Sequence, residues 1–200
     1  MLNHIRPALV MTALFTVVLG VAYPFTVTGV AQVAFPEQAD GSLVRDKAGK
    51  VVGSALIGQS FAEPVYLHPR PSAAGAGYDA SASSGSNLGP LNPDLIARVK
   101  TDADALRSET GRPETGTAVI PADAVTTSAS GLDPHISPAY ARLQVARIAE
   151  TRGVAVEEVS QVIEQHVEGR TFGVLGQPRV NVLLTNMALD ARFARPAAEG

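Results

Sequence analysis

The residue types that could do chemistry gather in residues 126–138 of the 200-residue chain, TTSASGLDPHISP. Asp133 and His135 flank Pro134, with Ser128, Ser130 and Ser137 nearby. Ser, His and Asp could together supply a nucleophile, a base and an orienting carboxylate, but a triad is defined by geometry rather than by spacing. Asp and Ser around Pro134 and Pro138 have a plainer role as turn caps, and that role is favoured. His4, His68 and His166 show no ligand spacing, and no HExxH, Walker A, CxxC or GxSxG pattern occurs. Cysteine is absent, which removes disulfides, thiolate zinc sites and a thiol nucleophile. The expectation is no catalytic residue and no metal ligand, hence an accessory role.

A second polar stretch, residues 72–93, reads SAAGAGYDASASSGSNLGPLNP. Its composition is that of a flexible linker, yet Tyr78, Asn87 and Leu88 are not typical linker residues. A phosphate cradle would need a Gly-Lys-Ser/Thr ending on a helix, and none is present. With a formal net charge of −3, the chain also lacks a basic footprint for nucleic acid.

These stretches must be positioned by a chain that begins with an apolar run. No Asp, Glu, Lys or Arg occurs between Pro7 and Pro36. A helix of about 20 apolar residues crosses a hydrocarbon core of about 30 Å, so residues 1–36 are expected to form one membrane anchor. A secretory signal ending near residues 29–31 is the alternative. Continued apolarity past Pro24 favours a retained span, and Pro24 should kink it. Ala8, Thr12, Thr16 and Gly20 recur at spacing four, forming a small-residue ridge on one helix face that suits a partner helix. Cations lie on both sides of the run, Arg6 before it and Arg45, Lys47 and Lys50 after it. A short N-terminus before a long domain points to a cytoplasmic N-terminus and an extracytoplasmic domain over residues 37–200.

That domain reads as α+β, with strands early and helices late. Apolar runs at 42–44 and 50–57 flank a turn ending at Gly49, giving a hairpin. GSALIGQSF (53–61) reads as a strand between two glycines, and short strands are also expected within 119–127 and at 171–175. Asn92-Pro93 opens a helix capped at Gly111, and Ser137-Pro138 opens another that runs to Gly153. Gln144 and Arg147 share a face of that second helix. Further helices are expected over 156–167 and 180–189, with a frayed tail at 195–200.

Several long stretches in order resemble the C subunit of the Kdp potassium-transporting P-type ATPase. They are GSALIGQSF, residues 70–73 (RPSA), YDASASSGSNLGPLNP (78–93), VTTSASGLDPHISP (125–138), residues 144–153 and PRVNVLLTNMALD (178–190). The resemblance implies an accessory subunit of a four-part bacterial inner-membrane complex. Its partners would be a channel-like potassium-binding subunit, a pump subunit that hydrolyses ATP, and a small membrane subunit. The resemblance also implies a role in assembly and as a catalytic chaperone that raises the pump's affinity for ATP. The pump's DKTGT motif is missing here. No firmly bound cofactor is expected, with ATP reached, if at all, through the pump subunit. Should this chain contact nucleotide directly, Ser128, Ser130, Gly131 and Gln144 are the residues to test. Three arrangements stay open: an external docking subunit, a cytosolic-side chaperone that binds ATP directly, and a free secreted protein.

Overall fold

The structure, a computed structural model, describes residues 4–110 and 119–193. Gly111 as a helix cap, the loop that follows it and the tail at 195–200 lie outside the described residues. The chain divides into two compact units, Met1–Ser54 and Ala55–Gly200.

The first unit is built on one long helix, α1 (Ile5–Ala34), whose most apolar 18-residue stretch has a mean hydropathy of 2.0. Thirty residues at 1.5 Å each exceed the thickness of a hydrocarbon core. No residue of α1 is buried within its own unit, so its apolar surface suits another solvent or another helix. Within it, Val18–Ala22 winds as a π-helical turn, in which the Tyr23 N–H reaches the Val18 carbonyl. Pro24 has no N–H to give the Gly20 carbonyl, and a π turn is one way to absorb that lost bond. The expected irregularity at Pro24 is therefore a widened turn just before the proline. After a short turn of helix at Pro36–Ala39, strands β1 (Leu43–Arg45) and β2 (Val51–Ser54) pair antiparallel as expected. Asp46 shapes their turn by accepting from the Ala48 and Lys50 N–H groups, both at 2.9 Å.

The second unit is mixed α and β. Helix α2 (Pro93–Glu109) starts as the sequence suggests, with the Asn92 side chain accepting from the Asp94 N–H at 2.8 Å. Strand β3 (His135–Ile136) leads into α3 (Pro138–Leu143), which is capped by Ser137. Helix α4 (Val145–Arg152) ends at Gly153 in the left-handed conformation (φ 64°). Then come α5 (Val156–Gln165), β4 (Val167–Glu168), β5 (Arg179–Asn181) and α6 (Val182–Arg192). The three short strands form an antiparallel sheet in the order β3-β5-β4. Val180 at its centre pairs with both Ile136 and Val167. The core fills with Ile148, Val159, Ile163, Val180 and Leu189, all essentially inaccessible, as the stripe of α5 predicts.

Five expectations are corrected. The run 53–61 is strand only to Ser54, and residues 55–57 turn away. Residues 119–127 hold a 3-10 turn at Ala122–Ala124 rather than a strand. Residues 171–175 form a tight turn closed by one bridge between Thr171 and Leu175. Val180 belongs to a strand, because Asn181 ends β5 and caps α6 by accepting from the Leu184 N–H at 3.1 Å. The helix expected from Pro138 to Gly153 is also interrupted at Gln144 (φ −90°, ψ −8°), which ends α3 and precedes α4.

Candidate functional site

Residues 126–134 fold as a chain of turns against two other loops, and several of their polar groups have a local task. Asp133 accepts from the His135 N–H at 3.0 Å and from Arg70 Nη1 at 3.0 Å. Arg70 also donates to the carbonyls of Thr126 and Thr127, both at 3.3 Å. The Ser130 hydroxyl accepts from the Leu132 N–H at 3.1 Å. Ser137 accepts from the Tyr140 N–H and donates to Asp123. The Ser72 hydroxyl donates to the Gly131 carbonyl and accepts from the Tyr78 N–H, which ties residues 72–85 to this loop. The Ser83 hydroxyl and the Ser84 N–H also donate to the Ser130 carbonyl, so the first half of the segment read as linker-like is tied down.

Two glycines permit the close packing. At Gly131 (φ +67°) a Cβ would lie 2.7 Å from the Ala74 nitrogen and 2.7 Å from the Ser84 carbonyl oxygen. At Gly58, whose N–H donates to Leu132 at 2.7 Å, a Cβ would lie 2.7 Å from the Asp133 oxygen. Both backbones approach too closely for any side chain.

The result is an open groove of about 490 Å³ whose lining includes Leu56, Arg70, Ser128, Ser130 and Asp133. Ser128 and Ser130 meet across it, their hydroxyls 3.4 Å apart. Gly131 is buried beside the groove, whereas Gln144 is not part of its lining. His135 Nδ1 lies 3.6 Å from Asp133 Oδ1, an ion-pair distance rather than a hydrogen bond. No hydrogen bond joins a serine to His135 among the described residues, so Ser, His and Asp come near one another without forming a relay. Burial alone would raise the Asp133 carboxyl. The His135 side chain and N–H, with the Arg70 guanidinium, instead hold it below the usual carboxylate range. The Arg70 charge is already balanced by that carboxylate, so the groove does not offer the free cation that a phosphate site needs. Among the described residues no group of three His, Asp or Glu side chains gathers for a metal ion.

Gln144 serves another part of the domain. It is 1% exposed, accepts from the His68 N–H at 2.7 Å and donates to the His68 carbonyl at 3.1 Å. Arg147, on the same face as expected, donates to Gln144 Oε1 at 2.6 Å. Asn186, also 1% exposed, holds Leu67 in the same two-ended way, at 2.8 and 3.0 Å. Arg152 donates to the Val65 carbonyl at 2.8 Å and pairs with Asp190 at 2.9 Å. Residues 64–70 are therefore an extended strap pinned by buried side chains of α3, α4 and α6. Sequence periodicity gave no sign of this strap. Amides set beside apolar residues in the sequence, Gln144 between Leu143 and Val145 and Asn186 before Met187, were its one available signal.

Of the ridge on α1, Thr16 and Gly20 remain neighbours: a Cβ on Gly20 would touch the Thr16 methyl at 3.9 Å. Ala8, Thr12, Thr16 and Gly20 are all exposed within this chain. The second unit also presents apolar side chains outward at 172–175, a feature hidden when that stretch is read as a strand. Gly173 and Gly176 were the turn signals there.

An unburied apolar helix fits a single-pass membrane protein, and it is joined here to a folded α+β domain whose motif residues are bound up in turns and an ion pair. The chain belongs to the KdpC family, the c chain of the K+-transporting ATPase, whose family model matches residues 5–191. A potassium-transporting ATPase KdpC subunit of Caulobacter sp. (strain K31) is 64% identical over 200 residues, covering all of both chains. Another, from Beijerinckia indica subsp. indica, is 60% identical over 193 residues, 96% of each chain. A third, from Myxococcus xanthus, is 60% identical over 183 residues, 91% of this chain and 85% of its own.

Proposed function

We propose that this chain is a non-catalytic accessory subunit of a potassium-transporting ATPase in the bacterial inner membrane. In this reading α1 is a retained anchor with its N-terminus in the cytoplasm, and the α+β domain stands outside and docks on the channel-like subunit. The pump subunit and a small membrane subunit complete the assembly. The observation that carries the reading is the fate of the motif residues. Ser130, Asp133 and Ser137 are committed to backbone caps, and Arg70 is committed to Asp133. A group held this way shapes a surface and is not free to attack a substrate.

The raised ATP affinity implied by family resemblance is then conformational coupling. An external domain favours one state of the complex if it binds that state better, and nucleotide affinity shifts in proportion. The helix ridge Ala8-Thr12-Thr16-Gly20 supplies the contact within the membrane in this reading.

The test uses the purified complex carrying His135→Ala. Potassium-stimulated ATP hydrolysis should persist at near the normal rate when all subunits are present in normal ratio. Loss of an essential catalytic group removes orders of magnitude in rate, so a near-dead but intact complex would overturn the reading. Topology is tested separately. The chain has no cysteine, so a single Cys at the exposed Ala76 should react with a membrane-impermeant reagent in intact cells with a permeabilised outer membrane. Labelling only after inner-membrane lysis would place the domain in the cytosol and favour direct nucleotide binding through Ser128, Ser130 and Gly131.

A further inference from the structure

Among the described residues of the second unit, Leu56, Ile57, Leu91, Ile96, Val119 and Val156 are exposed in ones and twos, whereas three more exposed apolar side chains gather on one short turn. In the turn between β4 and β5, Phe172 is 90% exposed, Val174 71% and Leu175 60%. Single exposed apolar residues are ordinary, but three on one short turn make a patch that implies a contact.

The turn is also rigidly shaped. The Thr171 and Leu175 backbones exchange hydrogen bonds at 2.9 and 3.0 Å, and the Gly173 N–H donates to the Arg170 carbonyl at 3.0 Å. Gly173 and Gly176 adopt positive φ, as does Phe172 itself at 55°. A bulky residue in that conformation is strained by its own Cβ. Nothing within the domain offsets this, since the ring is left almost wholly in solvent. Strain at an exposed aromatic is a feature of preformed contact sites.

The surroundings indicate what kind of partner fits. Arg170 stands at the base of the turn and donates to the neutral Gln177 amide at 3.0 Å. Arg179 stands opposite and shares its charge with Glu168 at 2.9 Å. An apolar tip with an excess of guanidinium at its base is complementary to an apolar socket with an acidic rim. Aromatic and Arg side chains are also the types that anchor protein interfaces. A fixed turn shape favours a shaped protein pocket, because a lipid surface asks for no particular conformation.

We propose that residues 171–176 are a preformed plug that seats Phe172 in an acidic-rimmed apolar socket on another subunit of the same transport complex, a proposal that rests on the accessory-subunit reading above. The turn therefore marks one docking face of the domain.

The experiment places a benzophenone cross-linker at position 174 of the full chain, co-expressed with the other subunits, with the same probe at exposed Ala97 as the control. Irradiation of the purified complex should link position 174, and not 97, to another subunit. Adding Phe172→Asp should cut that yield about tenfold or more, as for loss of an anchor residue, while Phe172→Leu should hold it within about twofold. Thermal unfolding of the Asp variant should match the parent chain, which separates lost docking from lost folding. Cross-linking to lipid, a yield at 174 no higher than at 97, or an unchanged yield with Phe172→Asp would each overturn the proposal. In those cases the accessory-subunit reading would stand, provided that the unsubstituted chain still copurifies with the other subunits. Failure of the unsubstituted chain to copurify would overturn both.

Discussion

Residues 64–70 and residues 171–176 are both irregular backbone, yet they settle their polar groups in opposite ways. Along the strap, the carbonyls of Pro64, Val65, Leu67, His68, Pro69 and Arg70 accept from Arg147, Arg152, Asn186, Gln144, Tyr140 and Tyr78 in turn. In the turn, the backbone bonds to itself and the side chains point outward. A backbone hydrogen bond can thus be met by distant side chains or by neighbouring backbone. The first solution spends buried polar side chains on holding the domain together. The second leaves a rigid surface free for another molecule. Stability should reside in the strap and association in the turn.

The sharpest way to break that comparison is at Arg152. Its side chain is fully buried, lies over the Tyr66 ring at 5.4 Å and pairs with Asp190. Arg152→Met keeps much of the apolar stem but removes the cation beside Asp190, which keeps its bond from the Tyr66 hydroxyl, and leaves the Val65 carbonyl without its guanidinium donor. Removing one partner of a buried ion pair costs about 3–5 kcal/mol, and exposure of Asp190 to water places the loss at the lower end of that range. Unfolding of the full chain in detergent should show it. A change below about 1 kcal/mol, within the range of surface substitutions and minor contacts, would mean that the strap is not a stabilising element.

Asn186→Leu comes next. It removes both bonds to Leu67 while keeping the branched shape of the side chain, so a buried N–H and a buried carbonyl lose their partners together. Each orphaned group costs about 1–3 kcal/mol, and some relaxation of the strap brings the expected total to about 2–3 kcal/mol. Hydrogen exchange at the Leu67 amide should accelerate more than at α5. Equal acceleration everywhere would show that Asn186 supports the whole fold rather than the strap.

How much of this could be read from the sequence follows from the reach of each interaction. The caps at Asn92, Ser137 and Gly153 and the stripe of α5 depend on residues within a few positions, and they were legible. The turns around Ser128, Ser130 and Gly131 were legible for the same reason, so the motif's structural role could be anticipated. The strap was not, because its bonds join residues 76 to 119 positions apart at Gln144 and Asn186. Gln144 looked like a helix-face residue beside Arg147, and it does meet Arg147, but it sits at the break between two helices with its amide on the His68 backbone. The run at 171–175 looked like a strand because its apolar content outweighed its glycines. Apolar residues that serve an outside partner carry the same local signature as those that serve a core.

His68 gives a smaller effect, read through pH. Burial, reinforced by the Arg147 charge, holds its imidazole below the usual value of 6.5 against the opposing pull of Glu109. The folded domain therefore binds this proton less readily than the unfolded chain. His68 contributes stability fully above pH 6.5, and that contribution is lost as pH falls through its depressed folded value. Unfolding measured between pH 7.5 and pH 5 should show a decline that His68→Gln reduces. A His68→Gln chain with an undiminished decline would assign the acid sensitivity to other groups.

The smallest expected effect is at Phe172, and its sign is what matters. If the turn contributed to folding as the strap does, any replacement would destabilise the domain. The ring is 90% exposed, so Phe172→Asn removes almost no buried surface. Asn tolerates the left-handed conformation better than Phe does, so the substitution relieves part of the strain at φ 55°. Stability should stay level or rise, by no more than about 1 kcal/mol. Thermal unfolding of the full chain in detergent reads this directly, and a fall beyond about 0.5 kcal/mol, the usual range for surface substitutions, would place Phe172 among the folding contacts. A level or raised stability together with weakened assembly is the outcome that separates the two regions, because a contact inside the domain cannot weaken assembly while leaving the fold intact.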